Sequence, residues 1–168
     1  MILVYTGNGK GKTSAAVGQA IRAYGHGYKV AFSQFLKRDA QAGEQVVLRK
    51  LLDKNFLAGG IGFFRNNSNF DLHRKKALLT LDWIWTKIKS NFFLVVADEI
   101  LYALGLKLLL EEEIKNTLFL AKDCGVHLVL TGRGLPKFIE QEADLISEIK
   151  EIKHPYSKGI TANKGIEF

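Results

Sequence analysis

Thr6 to Thr13, TGNGKGKT, stands between the apolar run Ile2-Leu3-Val4-Tyr5 and a stretch rich in helix formers that begins Ser14-Ala15-Ala16-Val17. A glycine-rich turn in that position restricts the fold, because a strand that ends in such a turn and leads into a helix belongs to βα architecture. Its glycines let successive backbone N–H groups converge on one anion, and the helix N-terminus adds a positive dipole. Lys12 can neutralise phosphate charge and the Thr13 hydroxyl can hold Mg²⁺, so the pattern predicts a nucleoside triphosphate near residue 12. The usual phosphate loop opens on glycine where this chain has Thr6, which leaves the match one residue short.

Apolar runs then alternate with helical periods, which predicts an α/β fold of the P-loop NTPase-like, RecA-like kind, a mainly parallel sheet with helices on both faces. The expected strands are 2–6, 28–36, 92–98, 126–131 and 144–152, with a short one near 55–58. Ala16, Ala20 and Ala23 recur at helical spacing after the loop, in a helix of about three turns that stops at Gly25 or Gly27. Residues 70–90 read as the longest helix, with Leu78, Leu81, Trp85 and Ile88 inward and both tryptophans in the core. A helix near 110–123 carries Glu111, Glu112 and Glu113 in its first turn, which suits the dipole and reads as structural. At 168 residues the chain is expected to form a single domain over 1–168.

The net charge of +7 favours anionic partners without choosing among nucleotide, nucleic acid and acidic lipid. Arg74-Lys75-Lys76 reads as a solvated helix face. No apolar stretch is long enough to span a bilayer and no cleavable signal pattern opens the chain, so a cytoplasmic protein without membrane contact is expected. Cys124, the single cysteine, excludes an internal disulfide and a cysteine-rich zinc site, and reads as a buried structural thiol.

Phe92 to Ala97 is a continuous apolar run ending in Asp98-Glu99. Carboxylates at the carboxyl end of a buried parallel strand face the crevice where doubly wound sheets bind ligands. Thr13, Asp98 and Glu99 are therefore the candidate metal residues, unless the acids merely cap the next helix. Arg133, in Leu130-Thr131-Gly132-Arg133-Gly134, either reaches a phosphate or carboxylate or is a surface arginine beside a turn. Gly59 to Asn67 is a glycine-rich loop bearing Phe63 and Phe64, which can offer a platform for a flat apolar ligand; at least one of the pair is expected to anchor the loop. His26, His73 and His127 show no ligand spacing, and only the context of His154 invites attention.

Taken together, TGNGKGKT, Gly25-His26-Gly27, Val95 through Leu104, Leu130 through Gly134, Lys150 through Tyr156 and the ending Lys164-Gly165-Ile166-Glu167-Phe168 resemble the ATP:corrinoid adenosyltransferases of the cobalamin-biosynthesis type. The resemblance covers nearly the whole chain, and a loop without its first glycine but with Asn8, Gly9 and Lys10 is characteristic of that family. It implies a cytoplasmic homodimer that moves the 5′-deoxyadenosyl group of ATP to the Co(I) of a reduced corrinoid and releases triphosphate. Mg²⁺ or Mn²⁺ would assist, and an electron-donating reductase is a possible partner. Because Co(I) carries no proton to remove, no general base is expected.

The resemblance further implies ATP held by Thr6, Gly7, Asn8, Gly9, Lys10, Gly11, Lys12, Thr13 and Arg133, in a pose reversed from that of ordinary NTPases. Lys10 and Lys12 would stabilise the departing triphosphate. Phe63 matches the phenylalanine with which the family displaces the corrinoid's lower axial ligand. Some members have a tryptophan two residues later; Arg65 stands there in this chain, so either Phe64 substitutes or displacement is achieved differently. Some members also cover the site with an N-terminal arm, whereas the first expected strand here begins at Ile2, so the shielding of the site is open. The competing classes are a RecA-like nucleic-acid-dependent ATPase, which would want a basic stripe with interleaved aromatics, and a P-loop kinase, which would want an arginine-rich lid. Neither feature is apparent, and no nucleic-acid partner is expected.

Overall fold

A computed structural model of the chain describes residues 1–62, 64, 69–155 and 159–166. The elements are β1 (Ile2–Thr6), α1 (Lys12–Gly25), β2 (Val30–Gln34), α2 (Gly43–Leu52), a 3-10 turn (Asp53–Asn55), β3 (Phe56–Ala58), α3 (Phe70–Lys89), β4 (Leu94–Asp98), α4 (Ile100–Gly105), α5 (Glu111–Asp123), β5 (His127–Thr131), α6 (Lys137–Glu142) and β6 (Leu145–Glu148). The strands form one six-stranded sheet in the order β3-β2-β4-β5-β1-β6. Every pairing is parallel. The expected P-loop-like α/β architecture is therefore present.

Strand alternation divides the core into two layers. Val95 and Ala97 of β4, with Ala31, Leu128 and Leu130, pack with residues of α3, α4, α5 and α6, among them Leu81, Ile100, Leu118 and Ile139. Leu94 and Val96, with Val30, Phe32 and Val129, pack on Ala16, Ala20 and Ala23 of α1 and on Leu48 and Leu52 of α2. The alanine stripe lets α1 approach the sheet closely, as its spacing predicts. Period two has a second effect: Gln34, Asp98 and Thr131, the last residues of β2, β4 and β5, continue the series that faces α1.

Several boundaries differ from expectation. α1 begins two residues earlier, at Lys12, because the phosphate-loop turn runs straight into the helix. β2 and β4 lack the flanking residues of the apolar runs. β6 stops at Glu148, not 152, because the chain beyond it pairs with the loop: Ile149 N donates to Thr6 O at 2.8 Å, and Gly9 N donates to Ile149 O at 2.7 Å. Leu78 is 38% exposed, so only Leu81 and Ile88 of its expected row, together with Ile84, are fully inside. Both tryptophans are half-buried against the core, and Trp85 Nε1 donates to Thr117 Oγ1 at 2.8 Å, tying α3 to α5. Cys124 is likewise only half-buried.

Arg74 is no solvated residue. Its guanidinium donates to Glu113 Oε2 at 2.7 Å and to the Leu108 carbonyl at 2.8 Å, with a further bond to Glu113 Oε1 at 2.5 Å. Glu113 Oε2 also accepts from Leu110 N at 2.7 Å, so the acid run has the structural role its position predicts.

Candidate functional site

The glycine loop shows why its residues are small. Gly7 has φ +102°, and a Cβ there would lie 2.4 Å from the Ile149 carbonyl oxygen; one at Gly9 would lie 2.7 Å from the Lys150 backbone. The chain after β6 thus braces the rear of the loop at Thr6, Gly7 and Gly9, while Asn8 between them is exposed. Lys10, Gly11, Lys12 and Thr13 face a cavity of about 470 Å³, together with Ser14, Val17, Lys37, Gly43, Glu44, Glu99, Gly165 and Ile166. Lys12 is 7% exposed, and its Nζ donates to Gly9 O at 2.7 Å. Burial lowers its pKa, with Arg133 acting in the same direction and Glu99 against it. An anion seated here would relieve that penalty. Lys10 reaches outward and donates to the carbonyl of Ile166, which brings residues 165–166 to the cavity rim.

Asp98 is fully buried, yet it is surrounded by donors. The Thr13 hydroxyl lies 3.0 and 3.2 Å from its two oxygens, the Thr131 hydroxyl donates to Oδ1 at 2.7 Å and Gln34 Nε2 to Oδ2 at 3.1 Å. Lys37 Nζ stands 3.7 Å from Oδ2. Sheet register explains the convergence, since Gln34 pairs directly with Asp98 across β2 and β4. Thr131 follows Leu130, which pairs with Ala97.

Glu99 does not cap α4 with its side chain, although it stands at the N-cap with φ 65°. Its backbone N donates to Thr131 Oγ1 at 2.8 Å and its side chain lines the cavity. Burial, reinforced by the charge of Asp98, raises its pKa, with Lys12 and Lys37 opposing. No group of three or more His, Cys, Asp or Glu able to hold a metal occurs among the described residues. A divalent cation here would need substrate oxygens besides those of Thr13 and Glu99.

A second cavity of about 270 Å³ adjoins the first and is lined by Leu36, Lys37, Gln41, Glu99, Tyr102 and Arg133. Arg133 is exposed and belongs to this cavity, one step removed from the glycine loop. Gly132, at φ +140°, permits that turn, since a Cβ would lie 2.8 Å from Leu101 Cβ.

The loop after β3 is tied to the same strand ends. Gly59 N donates to Gln34 O at 2.9 Å, Gly60 N to Lys37 O at 3.1 Å and Gly62 N to Leu36 O at 2.9 Å. Phe64 turns inward, its ring 6.2 Å from Phe70 and 5.1 Å from His73, both edge-on. It anchors the loop to the core, and it lines neither cavity. Phe63 lies outside the described residues, as do Arg65, Asn66 and Asn67.

With that geometry in view, likeness to known proteins is informative. A family model described as "ATP:corrinoid adenosyltransferase BtuR/CobO/CobP" matches residues 1–168. The chain belongs to this family. A corrinoid adenosyltransferase of Pseudomonas aeruginosa is 33% identical over 175 residues, covering 100% of this chain and 83% of that protein. The corrinoid adenosyltransferase of Escherichia coli K12 is 34% identical over 176 residues, covering 100% of this chain and 85% of that protein. Among solved structures, the KaiC-like protein PH0186 of Pyrococcus horikoshii OT3 superposes with a TM-score of 0.60 at 19% identity, covering 89% of this chain and 71% of that one, a likeness of fold alone.

Lys37 and Glu44 at the cavity wall, and Gln34 and Thr131 bonded to Asp98, were not singled out as candidates by the sequence motifs. The signal was present for Thr131, which ends the apolar run Leu128-Val129-Leu130 in the same alternation series as Asp98; for Gln34 it was blurred, because Phe35 and Leu36 continue the apolar run. Among the described residues no helix is long and apolar enough to cross a membrane.

Proposed function

We propose that this chain transfers the 5′-deoxyadenosyl group of ATP to the Co(I) of a reduced corrinoid, releasing triphosphate, in the biosynthesis or salvage of adenosylcobalamin. The observation that carries the reading is the cavity in which Lys10, Lys12, Lys37 and Thr13 meet Glu99, in a chain that matches the adenosyltransferase family end to end. Transfer is a displacement at carbon. The cobalt electron pair forms the Co–C bond, the C5′–O bond breaks, and its pair stays on the triphosphate oxygen. Nothing in that step needs a proton, so what the protein must supply is alignment of the 5′ carbon and positive charge around the leaving group.

The side chains suit that task. Lys12 supplies charge from a buried position inside the loop, and Lys10 supplies it from the rim. Mg²⁺, when bound, would screen triphosphate charge; Thr13 and Glu99 would hold it with phosphate oxygens and water, their oxygen donors suiting a hard cation. Asp98, saturated by its own donors, would act by orienting Thr13. The second cavity, with Tyr102 and Arg133, is where the remainder of the nucleotide or the edge of the corrinoid would sit. Phe63 is assigned to lower-ligand displacement by resemblance. A homodimer in the cytoplasm, with a separate protein or small reductant feeding electrons to cobalt, completes the proposal.

Incubation with ATP, Mg²⁺ and chemically reduced cobalamin tests it. The expected result is a light-sensitive spectrum of a cobalt–carbon product; an unchanged cobalamin spectrum at full ATP occupancy overturns it.

A further inference from the structure

Lys37 follows β2 by three residues and stands among Thr13, Glu44 and Asp98 at the wall of both cavities. Its ammonium is bonded to Glu44 Oε1 at 2.7 Å and lies 3.5 Å from Thr13 Oγ1 and 3.7 Å from Asp98 Oδ2. Its side chain is 24% exposed, enough to be reached and too little to be a free surface lysine. Lys37 and Glu99 line both the loop cavity and the second cavity, and Lys37 is the one with a donor to offer an anion at their boundary. Its backbone carbonyl also takes the Gly60 N–H, at the start of the loop that carries Phe63. A Cβ at Gly60 would lie 2.2 Å from the Leu36 backbone, so that contact requires glycine.

On the adenosyl-transfer reading, a phosphate chain seated against Lys10 to Thr13 would bring one end to the boundary that Lys37 and Glu99 share, and the bond to be broken joins that chain to the rest of the nucleotide. We propose that Lys37 is a catalytic residue of the transfer, donating a hydrogen bond to the oxygen that leaves the 5′ carbon, with Glu44 as the positioning residue that holds its ammonium there. The inference rests on the adenosyl-transfer reading and deepens it. Lys37 keeps its proton throughout: the leaving oxygen gains the electron pair of the broken C5′–O bond, and the ammonium offsets the charge that develops. Burial alone would lower the Lys37 pKa, but Asp98 and Glu44 outweigh it and raise the value above that of a free lysine. Burial opposes ionisation of Glu44 too, yet the Lys37 bond and charge keep its carboxyl below the ordinary range. The two hold each other charged.

The test compares Lys37→Met and Lys37→Arg with wild type, measuring transfer kinetics with reduced cobalamin, binding of inorganic triphosphate by calorimetry, and thermal melting. Lys37→Met is expected to lower kcat by about a hundredfold while KM for ATP moves less than about threefold, and to weaken triphosphate binding about tenfold. Lys37→Arg is expected to recover a substantial part of both. Glu44→Gln, which leaves Lys37 in place, is expected to lower kcat by a smaller factor and serves as the measured variant if Lys37→Met does not fold. Normal kcat in a folded Lys37→Met, or in Glu44→Gln if that variant alone folds, overturns the inference, as does lost kcat with unchanged triphosphate affinity. Failure of the parent reading looks different: wild type would then yield ADP and phosphate, or no triphosphate, before any variant is made.

Discussion

Arg74 meets Glu113 between α3 and α5, and Lys37 meets Glu44 and Asp98 at the carboxyl ends of the strands. Both are pairings of a long cation with carboxylates, and both are largely shielded from water. In the first, both terminal nitrogens of Arg74 and both oxygens of Glu113 are engaged by protein, including the Leu108 carbonyl and the Leu110 N–H. In the second, Asp98 is saturated, but Lys37, Glu99 and Thr13 together line a cavity. Charge that is closed on itself fastens two helices. Charge held at the edge of a cavity is available to a ligand, and removing its members is expected to change chemistry more than stability.

The largest effect is expected at Lys12. Lys12→Ala should reduce transfer by a hundredfold or more, since one lost phosphate contact in a dry site is worth on the order of 3 kcal/mol. Melting should move by only a few degrees, because the ammonium holds a single loop carbonyl. Near-normal turnover would remove the phosphate-loop assignment.

Asp98→Asn comes next. An amide in place of the carboxylate offers Thr13, Thr131 and Gln34 a poorer acceptor and leaves Lys37 without its fully buried counter-charge. The Mg²⁺ concentration for half-maximal rate is expected to rise about tenfold, with a smaller rise for Glu99→Gln. Metal titrations at saturating corrinoid decide the matter; if neither variant shifts the curve, the acid pair is structural and the two charge clusters are alike after all.

Phe63 and Phe64 sharpen the contrast within one loop. Phe64→Ala removes edge contacts to Phe70 and His73 and should cost about 1–2 kcal/mol of stability, with little change in the cobalt spectrum. Phe63→Ala is expected to do the reverse, impairing reaction from Co(II)cobalamin with a mild reductant but sparing preformed Co(I). Electron paramagnetic resonance of Co(II)cobalamin with ATP should show a four-coordinate species that this variant loses. Equal signals in wild type and Phe63→Ala would remove the assignment.

The smallest effect is expected at Glu113. Its Arg74 bond holds the carboxyl below the ordinary range despite opposing burial. The resulting stability is fully present above the unfolded carboxylate value of about 4.3 and is lost as pH falls through the lower folded value. Glu113→Gln should therefore melt below wild type by about 1–2 kcal/mol at pH 7, the gap closing in acid, while transfer stays normal. A pH-independent gap would mean that packing, not charge, joins α3 to α5.

The phosphate loop, the acid strand and the α/β layering were legible because each is a local pattern with one physical reading: glycines at a strand end, an apolar run ending in acids, alanines at helical spacing. α2 was not. Within Gly43–Leu52 only Leu48 and Leu52 carry the buried apolar stripe, while Val46 and Val47 are exposed and Gln45 points inward, its amide donating to Gln34 Oε1 at 2.8 Å. That pattern blurs a helical period, so neither Glu44 nor Lys37 was visible as a site residue. Arg74 was misjudged for a related reason, since its partner lies 39 residues away on another helix. Contacts made across elements leave no spacing to read.

The central claim is that the cavity cations receive a whole triphosphate as the leaving group. Phosphorus magnetic resonance of a reaction containing ATP, Mg²⁺ and reduced cobalamin, with the cobalt–carbon product counted optically in the same sample, tests it most directly. One inorganic triphosphate for each cobalt–carbon bond formed is the predicted result; ADP and phosphate in its place, or cobalt–carbon product without triphosphate, would contradict it.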